Sequence, residues 1–178
     1  MLKKICVFCG HREGQLLGLS EVILEFAEMA RKYELELVYG GASVGVMGQL
    51  AEAFLQKKLR VTGVIPKSLL KLEVVHTGLI ELHEVESMHQ RKDLMYQLSD
   101  AFCIFPGGAG TLDEFFEILT WKQLKFHQKP IVIFNHKGYY DSLLVLFEQM
   151  RRYGYYTQQE MSLFSVVQGV KELESLLF

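Results

Sequence analysis

A carboxylate closes a glycine-rich stretch, Pro106-Gly107-Gly108-Ala109-Gly110-Thr111-Leu112-Asp113-Glu114, and these residue types together point to phosphate chemistry. Glycines let the backbone approach a ligand with no side chain in the way, and the free N–H groups of a first helical turn attract anions. Thr111-Leu112-Asp113-Glu114 also has the pattern of a T-x-x-E capping box, in which Glu114 would only bond the backbone N–H of Thr111. A cap alone needs no three glycines. Carboxylates beside a bound phosphate would repel it, so in the ligand reading Glu114 faces elsewhere, toward the ribose of a nucleotide for instance.

A second glycine-rich stretch, Gly40-Gly41-Ala42-Ser43-Val44-Gly45-Val46-Met47-Gly48, has the same setting, but neither stretch has the G-x-G-x-x-G or G-x-x-x-x-G-K-[ST] spacing. The alternative is a pair of tight turns. Arg91 is a charge on an otherwise apolar stripe, Met88, Arg91, Met95 and Leu98, spaced to share one helix face. It either packs its stem and sends its guanidinium to water, or holds an anionic or hydroxyl-rich group at the ligand edge.

These residues need elements to hold them. Ala101–Phe105 is an apolar run that reads as a buried strand, and Leu112–Trp121 has helical periodicity, so the glycines form a strand-to-helix turn. Lys4–Phe8, Leu35–Tyr39, Arg60–Ile65, Leu79–Val85, Pro130–Asn135 and Phe164–Val167 read as further strands. Helices are expected over Ser20–Tyr33 with Ser20 as N-cap, Gln49–Lys58, Ser87–Leu98 with Ser87 as N-cap, Gly138–Tyr153 and Val170–Leu177. Five or six strands alternating with helices predict an α/β fold, a doubly wound parallel sheet in a single domain spanning residues 1–178.

With 49% hydrophobic and 22% charged residues, the composition is that of a globular protein, and a formal charge of -2 supplies no basic field for nucleic acid. No apolar run approaches the length of a membrane span, which predicts no membrane partner and a cytoplasmic protein. Three cysteines suit that compartment. Cys6 and Cys9 match C-x-x-C, but along a strand residues three apart face opposite ways, which argues against a redox or zinc pair.

Val38-Tyr39-Gly40-Gly41, Gly45-Val46-Met47-Gly48, Val64-Ile65-Pro66-Lys67, Met88-His89-Gln90-Arg91-Lys92 and Pro106 to Glu114, in this order, resemble the Lonely Guy family, with Thr120-Trp121 and Lys129-Pro130 continuing the likeness. Those proteins are cytokinin riboside 5'-monophosphate phosphoribohydrolases, long mislabelled as lysine decarboxylases. The resemblance implies a Rossmann-like homodimer that hydrolyses the N-glycosidic bond of a purine nucleoside 5'-monophosphate, a cytokinin riboside monophosphate or AMP, to free base and ribose 5-phosphate. It implies Arg91 and Glu114 as the catalytic pair, and Gly107, Gly108, Ala109, Gly110 and Thr111 as the phosphate cradle. Glu73, Met88, Lys92, Thr120, Gly41, Gly45 and Gly48 become further substrate-binding positions. No metal or cofactor is called for, and nothing marks a Schiff-base lysine for pyridoxal phosphate.

The chain departs from the family pattern where His11 and Arg12 replace serines, at Ala42 for a glycine, at Ser87 for an acid and at Ala109 for a frequent tyrosine. His11 and Arg12 extend the phosphate or base pocket or disfavour the usual substrate. The rival reading is a non-catalytic nucleotide or molybdenum-cofactor carrier, since related Rossmann proteins hold that cofactor with similar glycine turns. Glu114 separates the two, because a carrier has no use for a carboxylate at an anomeric carbon.

Overall fold

The computed structural model describes residues 2–70, 78–79 and 81–178. Seven strands form one parallel sheet in the order β4-β3-β2-β1-β5-β6-β7. They are β1 (Lys4–Phe8), β2 (Glu36–Tyr39), β3 (Val61–Pro66), β4 (Glu81–Val85), β5 (Ala101–Ile104), β6 (Ile131–Phe134) and β7 (Ser165–Val167). The expected count of five or six is therefore too low. All seven apolar segments pair, with β4 and β7 as the edges.

Most of these strands are buried on both faces, as parallel sheets with helices on each side must be. Alternate residues of β1 show the division: Ile5 and Val7 face the core shared by α1 (Leu19–Lys32), α2 (Gly45–Gln56) and α6 (Val170–Leu177). Cys6 and Phe8 face the core of α3 (Met88–Leu98), α4 (Ala109–Gln123) and α5 (Asp141–Arg152). Cys6 and Cys9 accordingly lie in different cores, and all three cysteines are free and buried.

Strand order reverses at β1, whose neighbours are β2 and β5. The loops leaving the carboxyl ends of β1 and β5 diverge there, which is where open α/β sheets leave a crevice. Two helices enter it earlier than the periodicity indicates, α2 at Gly45 and not Gln49, α4 at Ala109 and not Leu112. Glycines are poor helix formers, so periodicity undercounts a first turn made of them. Ser20 is not a cap: Gly18 takes that position with φ 80°, and the Ser20 hydroxyl donates to Gln49 Oε1 at 3.0 Å. Ser87 does cap α3, accepting from the Gln90 N–H at 3.2 Å. A 3-10 turn at His136–Gly138 delays α5 to Asp141.

Candidate active site

Two adjoining hollows occupy the crevice. The first, about 270 Å³, is bounded by the end of β1 and its loop, by Gly40 and Met47, by Met88, Arg91 and Met95 of α3, and by Gly108–Thr111, Asp113 and Glu114 of α4. The second, about 620 Å³, shares Gly10, His11, Gly108 and Ala109 with it and extends along the β1–α1 loop to Tyr139.

The capping box does not form. Gly108 is the N-cap of α4 and no side chain caps that end, while Thr111 and Glu114 lie inside the helix. The first intrahelical bond runs from the Leu112 N–H to the Gly108 carbonyl at 3.2 Å, so Ala109, Gly110 and Thr111 present the donors that a helix start leaves over.

The glycines divide by what a side chain would meet. A Cβ on Gly108 or Gly110 would meet no atom within 4 Å, so the fold itself does not require glycine there, and both line the first hollow. A Cβ on Gly107 would fall 2.1 Å from Thr111 Oγ1 and 2.8 Å from Gly10 N, so this glycine lets the β5–α4 turn close against the β1 loop. Gly41, Gly45 and Gly48 line neither hollow. A Cβ on Gly45 would fall 2.3 Å from the His11 carbonyl oxygen and one on Gly48 2.2 Å from that of Ser43, and Gly41 turns the chain with φ 84°. The close approaches at Gly45 and Gly48 and the positive φ of Gly41 give each of the three a packing reason to be glycine. Gly40 lines the hollow instead, and a Cβ on it would strike Arg91 Nη2 at 2.0 Å.

Arg91 does not snorkel. It is 6% exposed, with Nε donating to the Val64 carbonyl at 3.0 Å and Nη2 to the Gly40 carbonyl at 2.7 Å. One acceptor, Gly40, directly follows β2 and the other, Val64, lies within β3, so the backbone of the sheet fixes the guanidinium with Nη1 beside Met88 Sδ at 3.9 Å. Met88 and Met95 follow Arg91 into the cavity as the helical stripe requires.

Glu114 is the deepest carboxyl of the cavity. Burial pushes it up to about 7 from its ordinary value of 4.5; Arg91 and then Lys92 pull it down, and Asp113 and Glu117 push it up. Near neutral pH it therefore exchanges a proton readily, as a general base or acid must.

Lys92 and Thr120 stand apart from this group. Lys92 Nζ bridges Asp113 and Glu117 at 3.1 Å each, tying α3 to α4 with its side chain 10% exposed, and it lines neither hollow. Thr120 is exposed on α4, two turns beyond Glu114 and outside both hollows. Glu73 lies outside the described residues. Sequence reasoning missed Met47 and Asp113 at the cavity wall, and it gave Met95 and Gly40 no site role. The α3 stripe already pointed to Met95, whereas Met47 and Gly40 arrive only through the fold.

Residues 47–177 match the family model described as possible lysine decarboxylase. The chain is 46% identical over 156 residues to a cytokinin riboside 5'-monophosphate phosphoribohydrolase of Rhodococcoides fascians, covering 87% of this chain and 79% of that protein. The chain belongs to the Lonely Guy family. A second member, a cytokinin riboside 5'-monophosphate phosphoribohydrolase of Arabidopsis thaliana, is 38% identical over 171 residues, 96% of this chain and 80% of its own. The same fold occurs in the molybdenum cofactor carrier protein of Chlamydomonas reinhardtii, with a TM-score of 0.73 at 16% identity over 99% of this chain and 96% of that one. At that identity the likeness concerns the fold alone. The decarboxylase label finds no chemical counterpart in this Lonely Guy chain: among the described residues, no lysine lines either hollow to form a Schiff base.

Proposed function

We propose that this chain hydrolyses the N-glycosidic bond of a purine nucleoside 5'-monophosphate, either a cytokinin riboside monophosphate or AMP, releasing free base and ribose 5-phosphate. The observation that carries the proposal is a carboxyl, Glu114, on the wall of the same cavity into which the uncapped, glycine-lined first turn of its own helix opens, where burial raises its proton affinity.

The 5'-phosphate docks on the N–H groups of Ala109, Gly110 and Thr111, where the helix dipole favours an anion. Glu114 then lies beside the anomeric carbon. As the C1'–N bond breaks, its electron pair leaves with the base and positive charge builds on the ribose, as in glycoside hydrolysis. The Glu114 carboxylate stabilises that charge and takes a proton from the water that attacks C1'; the departing base nitrogen takes up a proton in turn. Arg91 stays charged throughout and orients the ribose and phosphate electrostatically. Met47, Met88 and Met95 supply a soft apolar wall for the planar base.

A carrier would keep a buried carboxyl at a cost in stability and gain nothing from it. The deciding experiment is incubation with AMP, isopentenyl-AMP and other monophosphates, followed by chromatography. Released base is the expected result; intact nucleotide throughout would return the chain to the carrier class.

The working form in this proposal is a cytoplasmic homodimer. The three unpaired cysteines suit that compartment. Dimerisation is supported by Leu124 and Phe126, 59% and 69% exposed at the end of α4 next to Trp121, because large apolar groups clustered in water favour a partner surface. Thr120 sits on the same end of α4 and meets substrate only if that surface approaches a partner's cavity.

A further inference from the structure

Met47, Met88 and Met95 all border the catalytic cavity, but they differ in access. Met47 and Met95 are buried, whereas Met88, at the start of α3, is 43% exposed. Among the described residues it is the most exposed methionine: Met29 is buried, and Met150 and Met161 pack partly buried against the core of α3, α4 and α5.

Met88 is also joined to the group that orients the ligand. Arg91 follows it by three residues on the same helix face, and Nη1 donates to Met88 Sδ at 3.9 Å. The Val64 and Gly40 carbonyls hold Nε and Nη2, so the guanidinium cannot swing away. A thioether is only a weak acceptor, which leaves Nη1 ready to donate to a ligand oxygen. A Cβ on Gly40 would meet Arg91 Nη2 at 2.0 Å and Met47 Sδ at 2.9 Å, so a second thioether lies by the guanidinium, but inside the core. Cys9 brings a further sulfur to the cavity wall. Burial pushes its thiol well above the ordinary range, and the thiolate is the form that oxidants attack. A thioether needs no deprotonation.

We propose that Met88 is an oxidation site through which peroxide blocks the cavity: Sδ takes up an oxygen atom, and the sulfoxide oxygen accepts from Arg91 Nη1 in place of the ligand. With hydrogen peroxide the step balances by itself. A lone pair on Sδ forms the S–O bond as the O–O bond breaks, and the other oxygen leaves as water with both peroxide protons. Sulfur loses the two electrons that peroxide gains. The sulfoxide is polar and its oxygen is a much stronger acceptor than the sulfur, so its bond to the fixed guanidinium is charge-assisted. It also places a polar group on the wall offered to the base. The proposal rests on the reading above in one respect, that Arg91 orients the ribose and phosphate.

Limited treatment with hydrogen peroxide, followed by peptide mass spectrometry, should show one added oxygen on Met88 before Met29, Met47, Met95, Met150 and Met161. Calorimetric titration of the Glu114→Gln protein, which holds AMP without turning it over, reads the consequence. Affinity for AMP is expected to fall about tenfold on oxidation and to return after treatment with the methionine sulfoxide reductases of both epimers. Met88→Leu in the same background, compared with its own untreated value, is expected to keep its affinity through the same treatment. Met88→Gln, whose amide oxygen imitates the sulfoxide, is expected to bind AMP as weakly as the oxidised protein with no peroxide added. Oxidation of Met150 or Met161 ahead of Met88 overturns the proposal. Unchanged AMP affinity with Met88 fully oxidised overturns it as well, and so does an equal loss in the Met88→Leu protein. If unaltered protein releases no base from AMP while oxidation of Met88 still weakens AMP binding, the glycosidase reading falls and the oxidation site stands.

Discussion

Glu114, the carboxylate of the proposed reaction, is held by the fold in a setting where burial disfavours its charged form. Its folded-state carboxyl titrates near 7 and the unfolded one near 4.5, so its contribution to stability is greatest below 4.5 and is lost as pH rises through 7. Glu114→Gln removes that penalty: thermal melts at pH 8 should show a gain of up to about 3 kcal/mol, with none at pH 4, and base release should vanish. In the unaltered enzyme, kcat/KM for AMP should rise with pH through about 7 as the carboxylate forms, and a flat profile between pH 5 and 9 would remove Glu114 from the base role. Arg91 differs from Glu114. Its guanidinium satisfies the Val64 and Gly40 carbonyls, so Arg91→Ala should abolish activity and also cost about 1–3 kcal/mol of stability, readable by urea titration.

At the scale of the element, the first turn of α4 combines two kinds of glycine. Gly108→Val puts its side chain into open cavity at an ordinary φ of −93°, so the fold should stay within about 1 kcal/mol of the original while kcat/KM for AMP drops by orders of magnitude. Gly107→Ala meets Thr111 and Gly10 and should instead destabilise by about 1–3 kcal/mol. Melting and kinetics on the same two variants separate the roles; matching losses in both would mean the turn is purely structural. Adenosine tests the turn from the ligand side. Binding energy from a remote phosphate positions the reacting centre, so its absence should lower kcat/KM by orders of magnitude, and equal efficiency on adenosine and AMP would remove phosphate from this helix.

At the scale of the whole molecule, the exposed end of α4 makes assembly a prediction about activity. Light scattering should give twice the chain mass, and Phe126→Asp should yield a folded monomer with reduced turnover, because Thr120 and its neighbours then face water only. A fully active monomer would contradict this. The ion pairs of Lys92 with Asp113 and Glu117 hold α3 to α4 within one chain, so Lys92→Met should disturb the cavity even in a monomer.

What was legible in the sequence was local or periodic. Alternation of apolar runs with helical stripes located the strand segments though not their count, the α3 stripe put Met88, Arg91 and Met95 on one face, and the glycines marked backbone that borders a cavity. Tertiary structure decided which glycine borders open cavity and which lets the chain pack closely, because that depends on atoms far away in sequence: His11 against Gly45, Gly10 against Gly107, Arg91 against Gly40. It also turned Arg91 inward, since the carbonyls of Val64 and Gly40 accept from its guanidinium. The capping-box pattern failed for the same reason. Thr111 and Glu114 have the right spacing for a cap, but the β5–α4 turn closes three residues earlier, leaving Thr111 packed on Gly107 and Glu114 on the cavity wall, where burial raises its proton affinity.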